Sequence, residues 1–138
     1  MQAKSTSELE QELSGCADLR GYLKRNDPAL HAPELLQRAL EKSGLNRAEA
    51  PRRSNLNLVY GYQIFSGKRR PSRDTLLCLC FGLGLCADET QNLLLHAGYA
   101  QLYIRDPRDS ILFFALNNGL SLLACNQQLD VHGEASLS

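Results

Sequence analysis

The amino-acid sequence predicts an all-α fold, and two patterns indicate it. Apolar residues recur every three to four positions in each segment of about ten residues, and no segment shows sustained alternation of apolar and polar residues. Glycines that can end helices follow these segments at positions 44, 67, 84, 98, 119 and 133. With 138 residues, 43% of them apolar, the chain can form one cored domain with accessory pieces.

Residues 1–30 are predicted to form an N-terminal helical extension. Ser5 and Glu8 match a capping box at the start of a first helix. A second short helix is expected over residues 17–25, and the sequence Asn26-Asp27-Pro28 is typical of a break.

Residues 31–98 are predicted to form a bundle of five helices. The first begins at Pro33, a residue suited to the first helical position, and ends before Gly44. The fifth is expected over residues 87–97. The three helices between them begin after residues whose side chains can cap a helix, Asn46, Asn57 and Ser72.

Residues 99–138 are predicted to form a linker and a C-terminal helical hairpin, with helices over 107–118 and 121–131. The hairpin has too many apolar residues to be packed on one side only. We expect it either to cover the end of the bundle or to form a homodimer interface or dock a partner protein. The tail after Gly133 is expected to fray.

The charge distribution favours an anionic partner although the formal net charge is zero. Residues 44–74 carry seven of the fifteen Lys and Arg side chains, whereas the only acids there are Glu49 and Asp74. A neutral protein with one basic face can bind a charged polymer such as DNA through that face.

Other residue types argue against catalysis, metal binding and a membrane location. Four of the five cysteines stand where helical periodicity expects apolar or small residues, so we expect reduced core thiols, and Cys78 and Cys80 lack zinc-ligand spacing. The histidines at 31, 96 and 132 are isolated, and no catalytic motif is visible. No apolar run approaches the roughly 20 residues of a membrane span, and residues 1–15 lack the apolar segment of a secretory signal. We expect a cytoplasmic protein that is not an enzyme and uses no cofactor.

The turn between the second and third bundle helices completes a recognisable motif. Asn55 tolerates a left-handed backbone and Leu56 would be buried behind it. From Glu34 to Leu94 the chain resembles the lambda-repressor-like, Cro-type (xenobiotic-response-element) helix-turn-helix family. The matching segments are Gly44-Leu45-Asn46, Asn55-Leu56-Asn57, Gly67-Lys68-Arg69-Arg70-Pro71-Ser72 and the apolar Leu76-Leu77 with Leu79.

This resemblance implies a five-helix bundle whose third helix enters the major groove of double-stranded DNA. The base-facing positions it implies are Asn57, Leu58, Val59, Tyr60, Tyr62 and Gln63. The phosphate contacts it implies are Arg47, Lys68, Arg69 and Arg70, and arginines beside a helix N-terminus suit phosphate on physical grounds as well. Leu58 and Val59 are unusually apolar for base reading and could touch only thymine methyl groups, which leaves hydrogen bonding to Gln63, Asn57 and the tyrosine hydroxyls. At least one of Tyr60 and Tyr62 is expected to face the core.

Pro51 departs from the family pattern. If Asn46 caps the second bundle helix, Pro51 is its fifth residue, where it would clash with the preceding turn and remove a hydrogen bond. We therefore predict a helix that is kinked, or that starts late with Pro51 in its first turn.

Together these observations predict a bacterial or phage-type transcriptional regulator that binds DNA. The alternative is a protein-interaction or adaptor module that keeps the fold and uses the apolar third helix or the C-terminal hairpin.

Overall fold

The computed structural model describes residues 5–25 and 28–138. In these two ranges the chain forms nine α-helices and no strand, so the all-α prediction is confirmed. The helices are α1 Thr6–Ser14, α2 Leu19–Arg25, α3 Pro28–Ser43, α4 Glu49–Arg53, α5 Leu58–Phe65, α6 Arg73–Gly82, α7 Ala87–His96, α8 Pro107–Asn117 and α9 Leu122–Val131.

The helix ends follow the local signals in the sequence. The side-chain oxygens of Ser5, Asn57 and Ser72 accept hydrogen bonds from N–H groups of the first turns of α1, α5 and α6. Glycines at all six predicted end positions have positive φ. Gly98 is an example, since its φ of 80° lets the next N–H, of Tyr99, bond to the Leu94 carbonyl at 2.9 Å.

The start of α3 differs from the prediction. The helix begins at Pro28 and not at Pro33, so Pro33 lies within it and the expected boundary between residues 30 and 31 falls inside α3. Pro28 itself suits a first helical position, and Pro33 removes only one backbone hydrogen bond from a 16-residue helix. The predicted break at Asn26-Asp27 lies outside the described residues.

The centre of the fold is α6, in which every residue from Thr75 to Gly82 is buried. It packs against α4, α7 and α9, while α3 packs against α5 and α7. Buried side chains of α8 and α9, among them Leu112 and Leu129, belong to the same core. The C-terminal hairpin therefore covers the bundle, and residues 99–138 share their core with residues 31–98.

Two crossed ion pairs join α6 to α8. Arg73 Nη2 lies 3.1 Å from Asp109 Oδ2, and Arg108 Nη2 lies 3.0 Å from Asp74 Oδ2. Each helix thus contributes one cation and one anion from adjacent positions in its first turn. The hydrogen bonds that Arg108 donates to Asp74 raise the pKa of its guanidinium.

The tail after α9 is held against the protein, so the expectation that it frays is wrong. The Asn126 amide pairs with the Leu137 backbone in both directions, its Oδ1 accepting the Leu137 N–H at 2.8 Å. Arg108 donates to the carbonyls of Ala135 and Ser136 at 2.8 and 3.2 Å. Leu137 consequently reaches the core and is only 3% exposed.

The N-terminal helices are bounded as the sequence suggests. The capping box of α1 is formed, with Ser5 and Glu8 each accepting the other's backbone N–H.

No helix in the described part of the chain combines the length and apolar character needed to cross a membrane.

Candidate nucleic-acid interface

The short helix α4 begins late because of Pro51. Asn46 Oδ1 accepts the N–H groups of Ala48 and Glu49 at 2.9 and 2.8 Å, and its carbonyl accepts the Ala50 N–H at 3.2 Å. The next bond of the series would need an N–H at residue 51, which proline lacks. The helix therefore starts at Glu49 with Pro51 in its first turn, and the predicted shortening is confirmed.

A tight turn leads from α4 into α5. Asn55 has a φ of 55°, and the Leu56 N–H bonds to the Pro51 carbonyl at 2.8 Å. Leu56 is half-buried against the core. Asn57 then caps α5, because its Oδ1 accepts the N–H groups of Val59 and Tyr60 at 2.9 and 3.3 Å. The side-chain oxygen of Asn57 is therefore engaged within the protein.

The inner side of α5 is buried and its outer side is apolar. Gly61, Ile64 and Phe65 face the core. On the outer side Leu58, Val59 and Tyr62 are 48%, 64% and 43% exposed. These three residues lie within about 100° of one another around the helix, and we call them the outer face of α5.

The remaining predicted base-facing positions are divided between the two sides. Gln63 is half-buried at the edge of the outer face. Tyr60 is half-buried against the core, as expected for at least one of the tyrosines. The Arg69 guanidinium lies over its ring, 5.0 Å from the ring centroid, so Tyr60 helps to position Arg69.

Residues 66–72, the basic loop, fold back on the end of α5. The N–H groups of Lys68 and Arg69 both bond to the Gln63 carbonyl, at 2.9 and 3.2 Å. The Lys68 side chain is exposed, and its ammonium group has no hydrogen bond or ion pair with another described residue. The loop therefore places Lys68 and Arg69 beside the last turn of α5.

The other two predicted phosphate contacts are tied into the protein. Arg70 donates to the Ala97 carbonyl at 2.9 Å and stacks 4.7 Å from the centroid of the Tyr99 ring, while Tyr99 donates to the Pro71 carbonyl. Arg47 donates to Gln37 Oε1 on α3 at 3.0 Å. Since a guanidinium has five N–H donors, each arginine keeps donors for a ligand, but its position is set by the internal bond.

Arg52 and Arg53 on α4 are basic residues that were not among the predicted phosphate contacts. Both are exposed, and neither has an ion pair with another described residue. Arg53 lines a groove of about 540 Å³ together with Gly119 and Ser121 of the hairpin. Their basic character was visible in the sequence, but their exposure follows from the late start and short length of α4.

The basic side chains of this region make no ion pair with the described residues. Among residues 5–25 and 28–138, none of the six cations Arg47, Arg52, Arg53, Lys68, Arg69 and Arg70 has a carboxylate partner. Elsewhere Arg38, Lys42, Arg73 and Arg108 are paired with Glu34, Glu89, Asp109 and Asp74. The surface formed by α4, α5 and the basic loop therefore carries uncompensated positive charge.

All five cysteines are free thiols. Cys78, Cys80 and Cys125 are buried and free, Cys16 is half-buried and Cys86 is exposed. Burial raises the pKa of Cys80 to about 12 and those of Cys78 and Cys125 to about 11. In the part of the chain that the structure describes, no group of three or more His, Cys, Asp or Glu side chains could hold a metal ion.

Comparison with known proteins gives no match: no family model, curated protein or solved structure matches the chain. The geometry of α4, α5 and the basic loop is therefore what bears on function.

Proposed function

We propose that the protein is a DNA-binding transcriptional regulator of the Cro-type helix-turn-helix family. In this proposal α3 to α7 are the five-helix bundle, α4 and α5 are the helix-turn-helix, and α5 enters the major groove. Support comes from the left-handed Asn55, the half-buried Leu56 behind it and the capping of α5 by Asn57.

The observation that carries the proposal is the uncompensated charge beside the last turn of α5. Lys68 and Arg69 are held next to α5 by backbone hydrogen bonds and have no carboxylate partner among the described residues. Phosphate groups are the partners that such side chains favour on either side of a helix lying in a groove.

In the proposed complex each of these residues has a separate role in contacting DNA. Lys68 and Arg69 contact the phosphate backbone directly, and Arg47 and Arg70 add the N–H groups left free by their internal bonds. Leu58, Val59, Tyr62 and Gln63 face the bases, whereas Tyr60 acts by supporting Arg69. The regulator would act in the cytoplasm without a cofactor.

The salt dependence of binding tests this assignment. Binding to a pool of random-sequence duplexes is measured between about 50 and 200 mM salt, where the logarithm of affinity falls by roughly one unit of slope per phosphate contact. The double variant Lys68→Ala, Arg69→Ala should lower the slope by about two. A matched control removes two exposed arginines outside the surface, Arg20→Ala with Arg105→Ala, and should keep the slope. Equal slopes in all three proteins would contradict the assignment.

The proposal includes a homodimer, since two-fold operators require two recognition helices about one DNA turn apart. Although α8 and α9 cover the bundle, Phe114 and Leu123 stay 58% and 70% exposed on their outer surface. Light scattering after size-exclusion chromatography should give a dimer that Phe114→Ser weakens. A strict monomer at high micromolar concentration would count against the dimer.

The second candidate is a protein-interaction module. The apolar outer face of α5 favours it, because adjacent exposed leucine, valine and tyrosine side chains on one helix are typical of protein contacts. A pull-down from cell extract, run beside a gel shift, discriminates the two. Partners that are lost with Leu58→Ser, together with no binding to any duplex, would favour the module.

A further inference from the structure

Resting on the proposed function, we propose that α5 recognises DNA through the C5-methyl groups of pyrimidines in the major groove. The readers are Leu58 and Val59 in the first turn of α5. The ligand chemistry is a methyl group on a pyrimidine ring, which thymine and 5-methylcytosine both provide.

Hydrogen bonding to base edges is restricted at the start of α5. An asparagine that reads adenine must accept with its Oδ1 and donate with its amide at the same time. Asn57 Oδ1 already accepts two backbone N–H groups, at 2.9 and 3.3 Å, and these bonds hold the first turn of α5 together. Asn57 is therefore a cap and cannot make this bidentate contact without opening the helix end.

The groups that do project from the first turn are apolar. Leu58 and Val59 follow the cap directly and are 48% and 64% exposed. The N-terminal residues of a recognition helix are the ones that reach the base edges. The C5-methyl group is the apolar feature that a base pair presents in the major groove, so it is the group these two side chains can bury.

Charge complementarity identifies nucleic acid as the occupant of this face. Lys68 and Arg69 stand beside the last turn of α5 without carboxylate partners among the described residues, and the Arg69 guanidinium lies 5.0 Å from the centroid of the Tyr60 ring. An anionic polymer compensates these charges at the same time as its grooves cover Leu58 and Val59. An apolar protein surface would cover the two side chains and leave the cations uncompensated.

The experiment compares duplexes that differ only in methyl groups. Fluorescence anisotropy is measured at about 50 mM salt on an alternating A·T duplex of roughly two helical turns and on the same duplex with deoxyuridine in place of thymidine. A second pair consists of an alternating G·C duplex with and without 5-methylcytosine. Removing the methyl groups from the A·T duplex should weaken binding about fourfold for each methyl group contacted. Tighter binding to the G·C duplex that contains 5-methylcytosine assigns recognition to the methyl group in either base. Equal binding to the two G·C duplexes restricts recognition to the methyl group of thymine.

Variants show whether a difference in affinity between thymine and uracil duplexes comes from contacts to the methyl groups or from a change in duplex stiffness. Leu58→Ser with Val59→Ser should abolish the difference between thymine and uracil duplexes and keep the salt slope. Leu19→Ser replaces a leucine that is 58% exposed on α2 and should keep both. Lys68→Ala with Arg69→Ala should weaken binding to the A·T and uracil duplexes by the same factor.

Three outcomes would overturn the inference. Equal affinity of the protein for thymine and uracil duplexes would overturn it and leave the proposed function standing. A thymine preference that persists in the Leu58→Ser, Val59→Ser variant would also overturn it, because the preference would then come from the duplex itself. Absence of binding to every duplex would overturn the proposed function together with the inference.

Discussion

The ring of Pro51 occupies the space that a side chain at Gly61 would need. A Cβ atom on Gly61 would lie 2.3 Å from Pro51 Cγ and 2.7 Å from Pro51 Cβ, far inside van der Waals contact. Both residues are buried where α4 meets α5. Pro51 therefore shortens α4 and also packs directly against α5, at a point where only glycine leaves room for it.

We expect Gly61→Ala to destabilise the protein by about 1–3 kcal/mol, because the added methyl group must displace a buried ring. In a Pro51→Gly background, which removes both the Cγ and the Cβ atom, the same change should be neutral or stabilising by up to about 1 kcal/mol, since alanine is the better helix former. Urea unfolding of the four proteins gives the coupling between the two positions.

Gly15→Ala is the matched control for this cycle. A Cβ at Gly15 would meet only the Gln11 carbonyl, at 3.6 Å, and Gly15 does not have positive φ. Its substitution should change stability little. Equal destabilisation by Gly61→Ala with and without Pro51 would show that the ring is not the cause.

The local features of this region were predictable from the sequence, and the contacts across it were not. The missing N–H of Pro51 predicts a late start for α4, and Asn55 and Asn57 predict the turn and the cap, because each effect acts within a few residues. The pairing of Pro51 with Gly61 depends on how two helices cross. Likewise nothing near Arg70 in the sequence indicates Ala97, to whose carbonyl it donates a hydrogen bond across 27 positions.

The C-terminal tail shows the same limit. The position of the tail after the last helix predicts fraying, and the expectation fails because Asn126 and Arg108 supply partners for the tail backbone from α9 and α8. Arg108 also pairs with Asp74, its Nη1 and Nη2 lying 3.1 and 3.0 Å from the two carboxylate oxygens. A single guanidinium thus joins the tail, the hairpin and α6.

Arg108→Lys should lower the free energy of unfolding by about 1–2 kcal/mol. An ammonium group cannot form the two-pronged contact with Asp74 and reach the carbonyls of Ala135 and Ser136 as well. Hydrogen exchange at the Leu137 amide should become faster in the same variant, which reports release of the tail. The control is Arg105→Lys, an exposed linker position without an ion pair to the described residues, and it should change neither quantity. An unchanged exchange rate in Arg108→Lys would show that Asn126 holds the tail alone.

Thiol reactivity should divide the cysteines into two groups. Cys86 is exposed and Cys16 half-buried, whereas Cys78, Cys80 and Cys125 are buried with raised pKa values. Because the thiolate is the reactive form, a disulfide reagent at about pH 8 should modify Cys86 fast, and the three buried thiols only after unfolding. Cys86→Ser should remove the fast phase. Rapid modification of Cys80 in the folded protein would contradict the packing of α6.

The same three buried thiols predict how stability changes in alkali. Each has a pKa above its ordinary value of 9.0, about 12 for Cys80 and about 11 for Cys78 and Cys125. Above about pH 9 the unfolded chain loses these protons while the folded protein keeps them, so the unfolded state gains stability. The stabilisation that the three protonated thiols give the folded protein is therefore complete below about pH 9. It is lost as the pH rises toward 11 to 12, by up to about 1.4 kcal/mol per pH unit for each thiol. Cys125→Ala should make the decline in urea-unfolding free energy less steep by that amount, and Cys86→Ala should leave it unchanged. A decline that is equally steep in Cys125→Ala would show that other groups cause it.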